Sequence, residues 1–531
     1  MILPSASSYW RSEKKISVLV LTVIVVFYLF NGIMYLHAQS ITSDESSFYS
    51  YAKRFIMGEP GRVNPVIDNS KTPVIVLNLI PRAAEQLFKP ETRKIDWGYQ
   101  DIARGRYVSL LVSLLVIFLV YYWAKDLYGT AAGLFAAFLM SFSPNFLASA
   151  ALITTDGYSV LFLLAPFYFM WIMVRKGAVK YFILFSMVTA LAQLAKQSLF
   201  HLYVLIPVTL LIYFLINRPP LRLITILKGI FFFILIQWFV INLGYYFYET
   251  NQSLGSYHFM SHFFQSIQQV FPSRLPIPLP KPFVDGLDMA KYYDQLGGGF
   301  DPVSSFGKVT ILRHASIGGS FWYYYFVSIF FKTPIAYFIL MIWAIGKLIR
   351  RSAFRLFSQR EFFLFIPLVY FLFIMSFLYN TQVGIRHIIF LIPFVCILCS
   401  SVVPSAKVNY QKLILGLASL YLIVSVLYYW RNYYPYTNEF IWNKTVAYEY
   451  VGASNLEFHQ GAFFAADFLR KHPEVHWVSK APETGIFLIR ADDYLDIWSR
   501  HQYDWITGIR PCGQVGFSNL LIRVQTSDLH R

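Results

Sequence analysis

Charged residues are scarce in this chain of 531 residues, and their scarcity excludes an ordinary soluble protein. They make up 14% of the sequence, whereas soluble domains carry about 25%. Instead, 56% of the residues are hydrophobic, 19% are aromatic, and the mean hydropathy is +0.49. Apolar runs of roughly 20 residues recur along the whole length, which is the length a helix needs to cross a bilayer. The composition therefore predicts an all-α polytopic membrane protein.

Cysteine is nearly absent, and the usual nucleotide-binding motifs do not occur. Cys396 and Cys399 lie together in one apolar run and Cys512 lies far away, so the three cysteines form no disulfide framework. The chain has no Walker or Rossmann glycine pattern, which makes ATP and nucleotide sugars poor candidates for direct substrates. The first apolar run is longer than the core of a signal peptide and lacks a small-residue cleavage site. It is therefore predicted to be a retained helix.

Acidic residues are outnumbered, 28 against 45 Lys and Arg, which gives a formal net charge of +17. The basic residues cluster in short loops between the apolar runs, as the positive-inside rule predicts for the cytoplasmic side of a membrane protein. This distribution needs no polyanionic partner, so we exclude nucleic acid. Arg11, Lys14 and Lys15 place the N-terminus in the cytoplasm, and the later basic loops agree. The C-terminus then lies outside, in the periplasm if the chain resides in a bacterial inner membrane.

The apolar runs predict a bundle of about eleven spanning helices. We expect them at 16–37, 107–124, 131–150, 157–174, 181–195, 198–216, 229–248, 332–349, 362–379, 387–403 and 413–429. Two longer polar stretches, 38–106 and 249–331, fall on the outer face between them. The transmembrane module would thus cover 1–429. The remaining residues, 430–531, are numerous enough for a small extracytoplasmic domain.

Seven of the acids and bases outside the cytoplasmic loops are candidates for chemistry at the predicted outer face. They are Asp44 and Glu45 after the first span, Lys71 in the first outer loop, Asp156 in the turn after the third span, Lys332 at the eighth span, and Arg386 and His387 at the tenth. A carboxylate here can deprotonate an acceptor hydroxyl. Lys and Arg can stabilise the negative charge that grows on a departing lipid phosphate. Such a transfer passes through an oxocarbenium-like state.

Each of these residues also has a structural interpretation. Acids just beyond a helix end often cap the next helix, and Lys332 and Arg386 could extend to the membrane surface as anchors. His387 could be a packing residue, and the aromatic cluster 321–325 is typical of an interface belt. The residues alone therefore indicate an outer-face site suited to an anionic lipid, without establishing an enzyme.

Five stretches, in order along the chain, resemble the GT-C glycosyltransferases, specifically the protein O-mannosyltransferase-like group, with the lipid A aminoarabinose transferases as more distant relatives. They are Asp44-Glu45, Thr154-Thr155-Asp156, the segment 318–326 running into Lys332-Thr333-Pro334, Gly384-Ile385-Arg386-His387, and 454–460. The resemblance covers residues 44–460. The resemblance depends on all five motifs occurring in the family's order, because each motif is short.

The resemblance implies an inverting enzyme that takes a hexose or pentose from a polyprenyl-phosphate carrier. The acceptor would be a lipid, glycan or protein hydroxyl at the outer face. By this analogy Asp44 is the catalytic base, and Glu45 and Asp156 support it. The donor phosphate would meet four residues: Lys71, Arg386, Lys332 and His387.

The chain departs from the family pattern in its outer tail. Relatives usually have Asp-Trp-Gly where this chain has Glu457-Phe458-His459, and nothing resembles the sugar-binding trefoil of eukaryotic members. A divalent metal stays possible, since some GT-C enzymes use one, although no ligand set stands out. Two other functions also stay open. A lipid-linked-sugar flippase is disfavoured by nearly uncharged spans and the lack of a repeat, and a non-catalytic assembly subunit would dock through the tail.

Overall fold

The structure is a computed structural model that describes residues 6–62, 68, 70–88, 98–220, 222–296, 303–305, 308–310, 321–350, 354–497, 499, 501–506 and 508–529. Most of the described chain is helical, in agreement with the predicted fold class. Seven described segments are long and apolar enough to cross a membrane. They are Lys15–Ala38, Tyr99–Tyr128, Thr155–Lys176, Gln197–Asn217, Leu223–Gly244, Ile385–Ser405 and Asn409–Tyr428.

Two further apolar segments are bent helix pairs, and proline explains both bends. α5 (Thr130–Ser141) meets α6 (Pro144–Ala150) at 66°, and α13 (Tyr324–Lys332) meets α14 (Ile335–Arg350) at 109°. Pro144 opens α6, and Pro334 follows Lys332-Thr333 directly. Proline cannot donate the backbone hydrogen bond that would continue the preceding helix, and it disfavours helical backbone in the residue before it. The chain therefore turns at these points.

Two of the predicted spans are shorter than a full crossing. Val179–Gln193 and Phe362–Phe377 are apolar helices of 15 and 16 residues. With the two bent pairs the described chain has up to nine spans by length and composition, so the predicted number of eleven is not confirmed. Each predicted apolar run nevertheless coincides with an apolar helical segment. The polytopic helical class is therefore confirmed.

The helices are numbered in chain order, and several lie outside the spans. Helices α1 to α4 cover Ala6–Ala38, Glu45–Ile56, Ile80–Phe88 and Tyr99–Tyr128; α7 to α12 cover Thr155–Lys176, Val179–Gln193, Leu202–Asn217, Leu223–Gly244, His262–Val270 and Lys281–Leu296. Helices α15 to α20 cover Phe354–Gln359, Phe362–Phe377, Ile392–Ser400, Asn409–Tyr428, Ala462–Lys471 and Ala491–Tyr494. Three 3₁₀ segments join them near the site: Pro73–Leu79, Gln197–His201 and Ile385–Leu391.

The predicted outer loop 249–331 contains two short pairs of strands. β1 (Gln252–Ser253) pairs with β2 (Pro276–Ile277), and β3 (Val303–Ser305) pairs with β4 (Lys308–Thr310), both antiparallel. The predicted motif residues 318–320 lie outside the described residues. The motif continues into α13, where Tyr324 and Tyr325 are fully buried.

The tail has a four-stranded sheet that its sequence pattern does not reveal. β5 (Val475–Trp477), β6 (Gly485–Arg490), β7 (Gly513–Val515) and β8 (Asn519–Val524) lie in the order β5-β6-β8-β7. β5 runs parallel to β6, and the other pairs are antiparallel. Side chains alternate between the faces of a strand. Phe487 and Ile489 accordingly pack into one tail core and Leu488 into another, against α19.

A buried ion pair joins the end of α1, the start of α2 and the first turns of α4. Arg106 and Glu45 are both fully buried, and Arg106 donates to both carboxylate oxygens at 2.8 and 2.6 Å. The remaining donors of Arg106 bind the carbonyls of Leu36, Gln39 and Ser40 at 2.6–3.0 Å. All five guanidinium N–H groups are thus used. Helix α4 begins at Tyr99, so its first turns, including Arg106, lie within the stretch 38–106 that is predicted as an outer loop.

We predict that Arg106→Met destabilises the fold, because it leaves the Glu45 carboxylate buried without its cation. Breaking a buried pair costs about 3–5 kcal/mol. Thermal unfolding of the purified protein in detergent measures this loss. Arg104→Met is the matched control, since Arg104 lies two residues away and its side chain is 46% exposed in a surface pair with Glu85. Equal melting temperatures for the two variants would contradict the role of Arg106.

Candidate active site

Four charged side chains from four separate segments meet at one end of the bundle. Arg386 Nη1 lies 2.7 Å from Asp44 Oδ2 and 3.7 Å from Asp156 Oδ2. Lys196 Nζ lies 2.6 Å from Asp156 Oδ1. Asp44 follows α1, Asp156 lies in the first turn of α7, Lys196 follows α8, and Arg386 lies in the 3₁₀ segment that precedes α17. The structure thus brings together the predicted residues Asp44, Asp156 and Arg386.

The Asp44 side chain does not cap α2, and Asp156 is not the capping residue of α7. Asp44 occupies the N-cap position of α2 and Thr154 that of α7, but neither side chain accepts a hydrogen bond from its helix. The Asp44 side chain is 36% exposed. Its Oδ2 binds Arg386, while Oδ1 accepts no hydrogen bond from any residue in the described ranges. Asp44 therefore presents an accessible carboxylate oxygen.

Glu45 has a different environment from its neighbour Asp44. Besides Arg106, the backbone NH and hydroxyl of Thr42 each donate to it at 2.9 Å, and the NH of Ile153 donates at 3.0 Å. Burial alone would raise the pKa of Glu45, but Arg106 and these NH groups lower the pKa below its usual value. Both oxygens of the ionised Glu45 carboxylate thus accept hydrogen bonds from the protein. These bonds fix the turn in which Asp44 lies.

Lys71 lies beside the cluster in a buried position. Its ammonium group is 3.9 Å from the centre of the Phe48 ring and 3.5 Å from Ser70 Oγ. Burial lowers the pKa of Lys71 to about 8; Asp44 opposes this shift and Arg386 adds to it. Lys71 therefore lies close enough to Asp44 and Arg386 for both charges to affect its pKa.

The loop of Lys71 is held from both sides. Gln197 and Arg62 donate to its backbone carbonyl at 3.0 and 3.1 Å. Arg62 also binds the carbonyl of Asp68. Each oxygen of the Asp68 carboxylate accepts a hydrogen bond from one nitrogen of Arg54, at 2.8 and 2.7 Å. Asn69, which precedes this turn, lies outside the described residues.

Lys332 and His387, the other two residues predicted to bind the donor phosphate, lie in different environments. Lys332 is buried, and its ammonium donates to the carbonyls of Tyr434 and Asn455 at 2.9 and 2.5 Å. This cation therefore joins α13 to the tail. His387 is half-buried next to Arg386, within electrostatic range of Asp156 and Lys196. Its predicted role at the donor phosphate stays a prediction.

The tail segment 454–460 forms one wall of the site. The ring of Phe458 lies 4.3 Å from the Arg386 guanidinium, in cation–π contact. The carbonyl of Phe458 accepts a hydrogen bond from Ser43 at 3.1 Å, and Asn455 Oδ1 accepts one from the NH of Ile385 at 2.9 Å. The departure from the family tail motif therefore falls on residues that contact the cluster.

Gly384 permits this close approach of the tail. Its φ is +80°, a conformation that favours glycine. A Cβ at this position would also lie 2.9 Å from the carbonyl oxygen of Ser454. The glycine before Arg386 is thus required both by the backbone and by the packing of segment 454–460.

Sequence reasoning missed Lys196, Phe458 and Arg106. Lys196 had a usable signal, because it is an isolated cation in an outer turn between two apolar runs, against the positive-inside pattern. Phe458 lies in the resembling stretch 454–460, but the sequence did not indicate that its ring contacts Arg386. Arg106 was assigned to a loop, and only the three-dimensional contact with Glu45 explains its burial.

The donor set at the site does not match a divalent metal. The two carboxylates that converge there, Asp44 and Asp156, already bind cationic side chains, and Arg386 lies between them. Within the described ranges, the residues with metal-type spacing are Asp496, His501 and Asp504, in the tail. We therefore assign no metal to the cluster.

Residues 99–242 match the family described as dolichyl-phosphate-mannose-protein mannosyltransferase. This match confirms the resemblance to the protein O-mannosyltransferase-like group of GT-C glycosyltransferases, and it indicates glycosyltransferase chemistry. The matched region includes Arg106, Asp156 and Lys196 but neither Asp44 nor Arg386. No curated protein sequence matches the chain significantly.

Solved structures of two kinds are similar to the chain. ArnT from Cupriavidus metallidurans in the apo state has 12% identity and a TM-score of 0.47 over 99% of both chains. The Archaeoglobus fulgidus oligosaccharyltransferase in the apo form has 13% identity and a TM-score of 0.47 over 77% of this chain and 54% of that one. ArnT bound to undecaprenyl phosphate has 13% identity and a TM-score of 0.32, over 99% of both chains. The residue assignments therefore rest on the geometry of this chain.

We predict that the affinity of the cluster for a phosphate ligand falls as pH rises through about 8, because Lys71 is charged below that pH and neutral above it. Binding of a short-chain polyprenyl phosphate, measured on both sides of this pH, tests the effect. Lys71→Arg keeps its charge and should bind equally on both sides. Lys71→Met should bind about tenfold more weakly at the lower pH.

Lys480→Met, at an exposed lysine of the tail, is the control and should keep the pH dependence. A pH dependence that survives unchanged in Lys71→Arg would show that another group titrates.

Proposed function

We propose that the chain is an integral-membrane glycosyltransferase that moves a hexose or pentose, with inversion, from a polyprenyl-phosphate carrier to an acceptor hydroxyl at the outer membrane face. The contact between Asp44 and Arg386 across 342 sequence positions carries this proposal. It places an accessible carboxylate beside a cation that suits a phosphate. The acceptor is a lipid, glycan or protein, and the membrane is the inner membrane of a bacterium.

The charge of the cluster supports an anionic donor. Lys71, Lys196 and Arg386 contribute three positive charges, and Asp44 and Asp156 contribute two negative charges. The excess of one positive charge lies in a largely buried site, where a charge interacts more strongly than in water. A lipid phosphate at the level of the headgroups would neutralise it.

Two of these cations keep donors for such a phosphate. Arg386 uses Nη1 for Asp44 and Asp156, and its Nη2 donates to no residue in the described part of the chain. The Lys71 ammonium makes one long hydrogen bond, to Ser70, and otherwise lies against the Phe48 ring. Guanidinium and ammonium groups form strong charge-assisted hydrogen bonds to phosphate oxygens. Arg386 would thus bridge the base and the leaving group.

The reaction requires one proton transfer and one substitution at the sugar. Asp44 Oδ1 takes the proton of the acceptor hydroxyl while the acceptor oxygen bonds to the anomeric carbon. The bond from that carbon to the phosphate oxygen breaks, and its electron pair remains on the phosphate. Arg386 and Lys71 stabilise the charge that develops there. Attack opposite the leaving phosphate inverts the anomeric carbon.

We assign the remaining predicted residues by their contacts. Asp156 positions Arg386 and Lys196, and Glu45 positions the turn of Asp44. Lys332 secures the tail against α13. We also propose that residues 1–429 form the catalytic membrane module and 430–531 an extracytoplasmic domain, with the N-terminus in the cytoplasm as the basic loops indicate. The charges of the cluster lie at the ends of helices, which favours a transferase over a flippase with a midplane site.

Replacing Asp44 tests the proposal directly. Asp44→Asn keeps the shape of the side chain but cannot take the acceptor proton, so kcat for transfer from a labelled polyprenyl-phosphate sugar should fall about 100- to 10,000-fold. The assay measures both labelled product and remaining donor in proteoliposomes. Glu59→Gln, at an exposed acid of the same outer loop, is the matched control.

The control should retain full turnover. Normal turnover of Asp44→Asn would contradict the assignment of Asp44 as the catalytic base. Movement of labelled donor between leaflets without cleavage, equal in wild type and Asp44→Asn, would instead support a flippase.

A further inference from the structure

A cavity of about 400 Å³ lies in the tail, behind the wall of the active site. Residues 40–41, after α1, close one side of it. The lining also includes residues of strands β5, β6 and β8, of helix α20, and of segment 457–462. Its volume lies within the range of small-molecule sites, about 300–1,000 Å³. None of the proposed catalytic residues lines it.

The lining combines aromatic rings with hydrogen-bonding groups. Trp477 is 45% exposed and Tyr503 is half-buried, so both rings have open surface. Glu457, Arg490 and Asp493 line the same cavity. A sugar ring has apolar C–H faces and hydroxyls at its edge. The faces suit aromatic surface, and the hydroxyls suit carboxylate and guanidinium groups.

The charges of the cavity favour a neutral ligand. Arg490 Nε lies 2.7 Å from Asp493 Oδ2, so this cation is already neutralised. Glu457 lies next to Asp492 and is buried, and burial raises the pKa of Glu457 above its usual value. An anionic ligand would meet more carboxylates than cations here. This contrasts with the cluster around Arg386, which has an excess of positive charge.

One short segment separates the cavity from the proposed catalytic centre. Phe458 places its ring against Arg386, whereas its neighbours Glu457 and His459 line the cavity. His459 Nδ1 lies 2.6 Å from Ser43 Oγ, and Ser43 precedes Asp44. The NH of Ser43 also binds the carbonyl of Phe458. His459 and Ser43 thus separate a ligand in the cavity from Asp44.

We propose that this tail cavity binds a neutral sugar unit of the acceptor, so that the acceptor of this enzyme is a glycan or a glycosylated molecule. The inference rests on the proposed transferase function. Trp477 provides the surface for the sugar ring, and Asp493 accepts from its hydroxyls. The next part of the acceptor then extends past segment 457–459 toward Asp44.

Direct binding to the purified full chain in detergent tests this site without requiring turnover. The probes are methyl mannoside, methyl glucoside, methyl galactoside and N-acetylglucosamine, each observed by saturation-transfer NMR, with glucose 6-phosphate as an anionic comparison. At least one neutral probe should bind saturably, and glucose 6-phosphate should bind more weakly. Trp477→Ala and Asp493→Asn should each weaken the neutral probe about fivefold or more.

Trp442→Ala is the matched control, because Trp442 is a tail tryptophan that is 85% exposed and does not line the cavity. It should bind the probe as wild type does, and so should Asp44→Asn. No binding by wild type, or binding that Trp477→Ala and Asp493→Asn both leave unchanged, would overturn the sugar site. The proposed transferase function would still be supported in that case if Asp44→Asn abolishes transfer. Failure of the sugar site and failure of the transferase function are therefore distinguishable.

Discussion

The buried pair of Glu45 and Arg106 is the constraint on which the site depends. Two neighbouring acids, Asp44 and Glu45, follow α1, and only one can turn toward the cluster. Arg106 binds Glu45 and three carbonyls of the same turn, which fixes the chain between α1 and α2. Asp44 is thereby held at the surface of the bundle, where it meets Arg386 at 2.7 Å. The fully buried pair of Glu45 and Arg106 thus determines where the exposed carboxylate of Asp44 lies.

The site couples the membrane helices to the tail through a second set of contacts. Lys332 binds two tail carbonyls, Asn455 binds the chain before Arg386, and Phe458 covers the guanidinium of Arg386. The tail is therefore part of the wall of the proposed catalytic centre. The segment that departs from the family motif lies between the cluster and the tail cavity, because Phe458 contacts Arg386 whereas Glu457 and His459 line the cavity.

The sequence was sufficient to predict the helical membrane class and the meeting of Asp44, Asp156 and Arg386, because hydropathy and the positive-inside rule fix which residues share a membrane face. Residue pattern alone could not separate Asp44 from Glu45, since both are acids in one turn. The family resemblance made Asp44 the base and Glu45 its support, and the different partners of the two acids, Arg386 and Arg106, accord with that division. Lys332 was predicted at the phosphate from its place at the outer end of a predicted span, whereas its ammonium binds the carbonyls of Tyr434 and Asn455 in the structure. The short strands of the tail gave little periodicity, so the sheet was not predicted.

The central claim is that Asp44 and Arg386 are neighbours in the folded membrane protein. Cysteines at both positions, in a Cys512→Ser background that removes the exposed native thiol, can be treated with a short bifunctional thiol reagent in intact membranes. Mass spectrometry of the peptides should find the segments around 44 and 386 joined, and single-cysteine variants should give no such product. If each cysteine reacts with the reagent but the two segments are never joined, the proposed catalytic centre is contradicted.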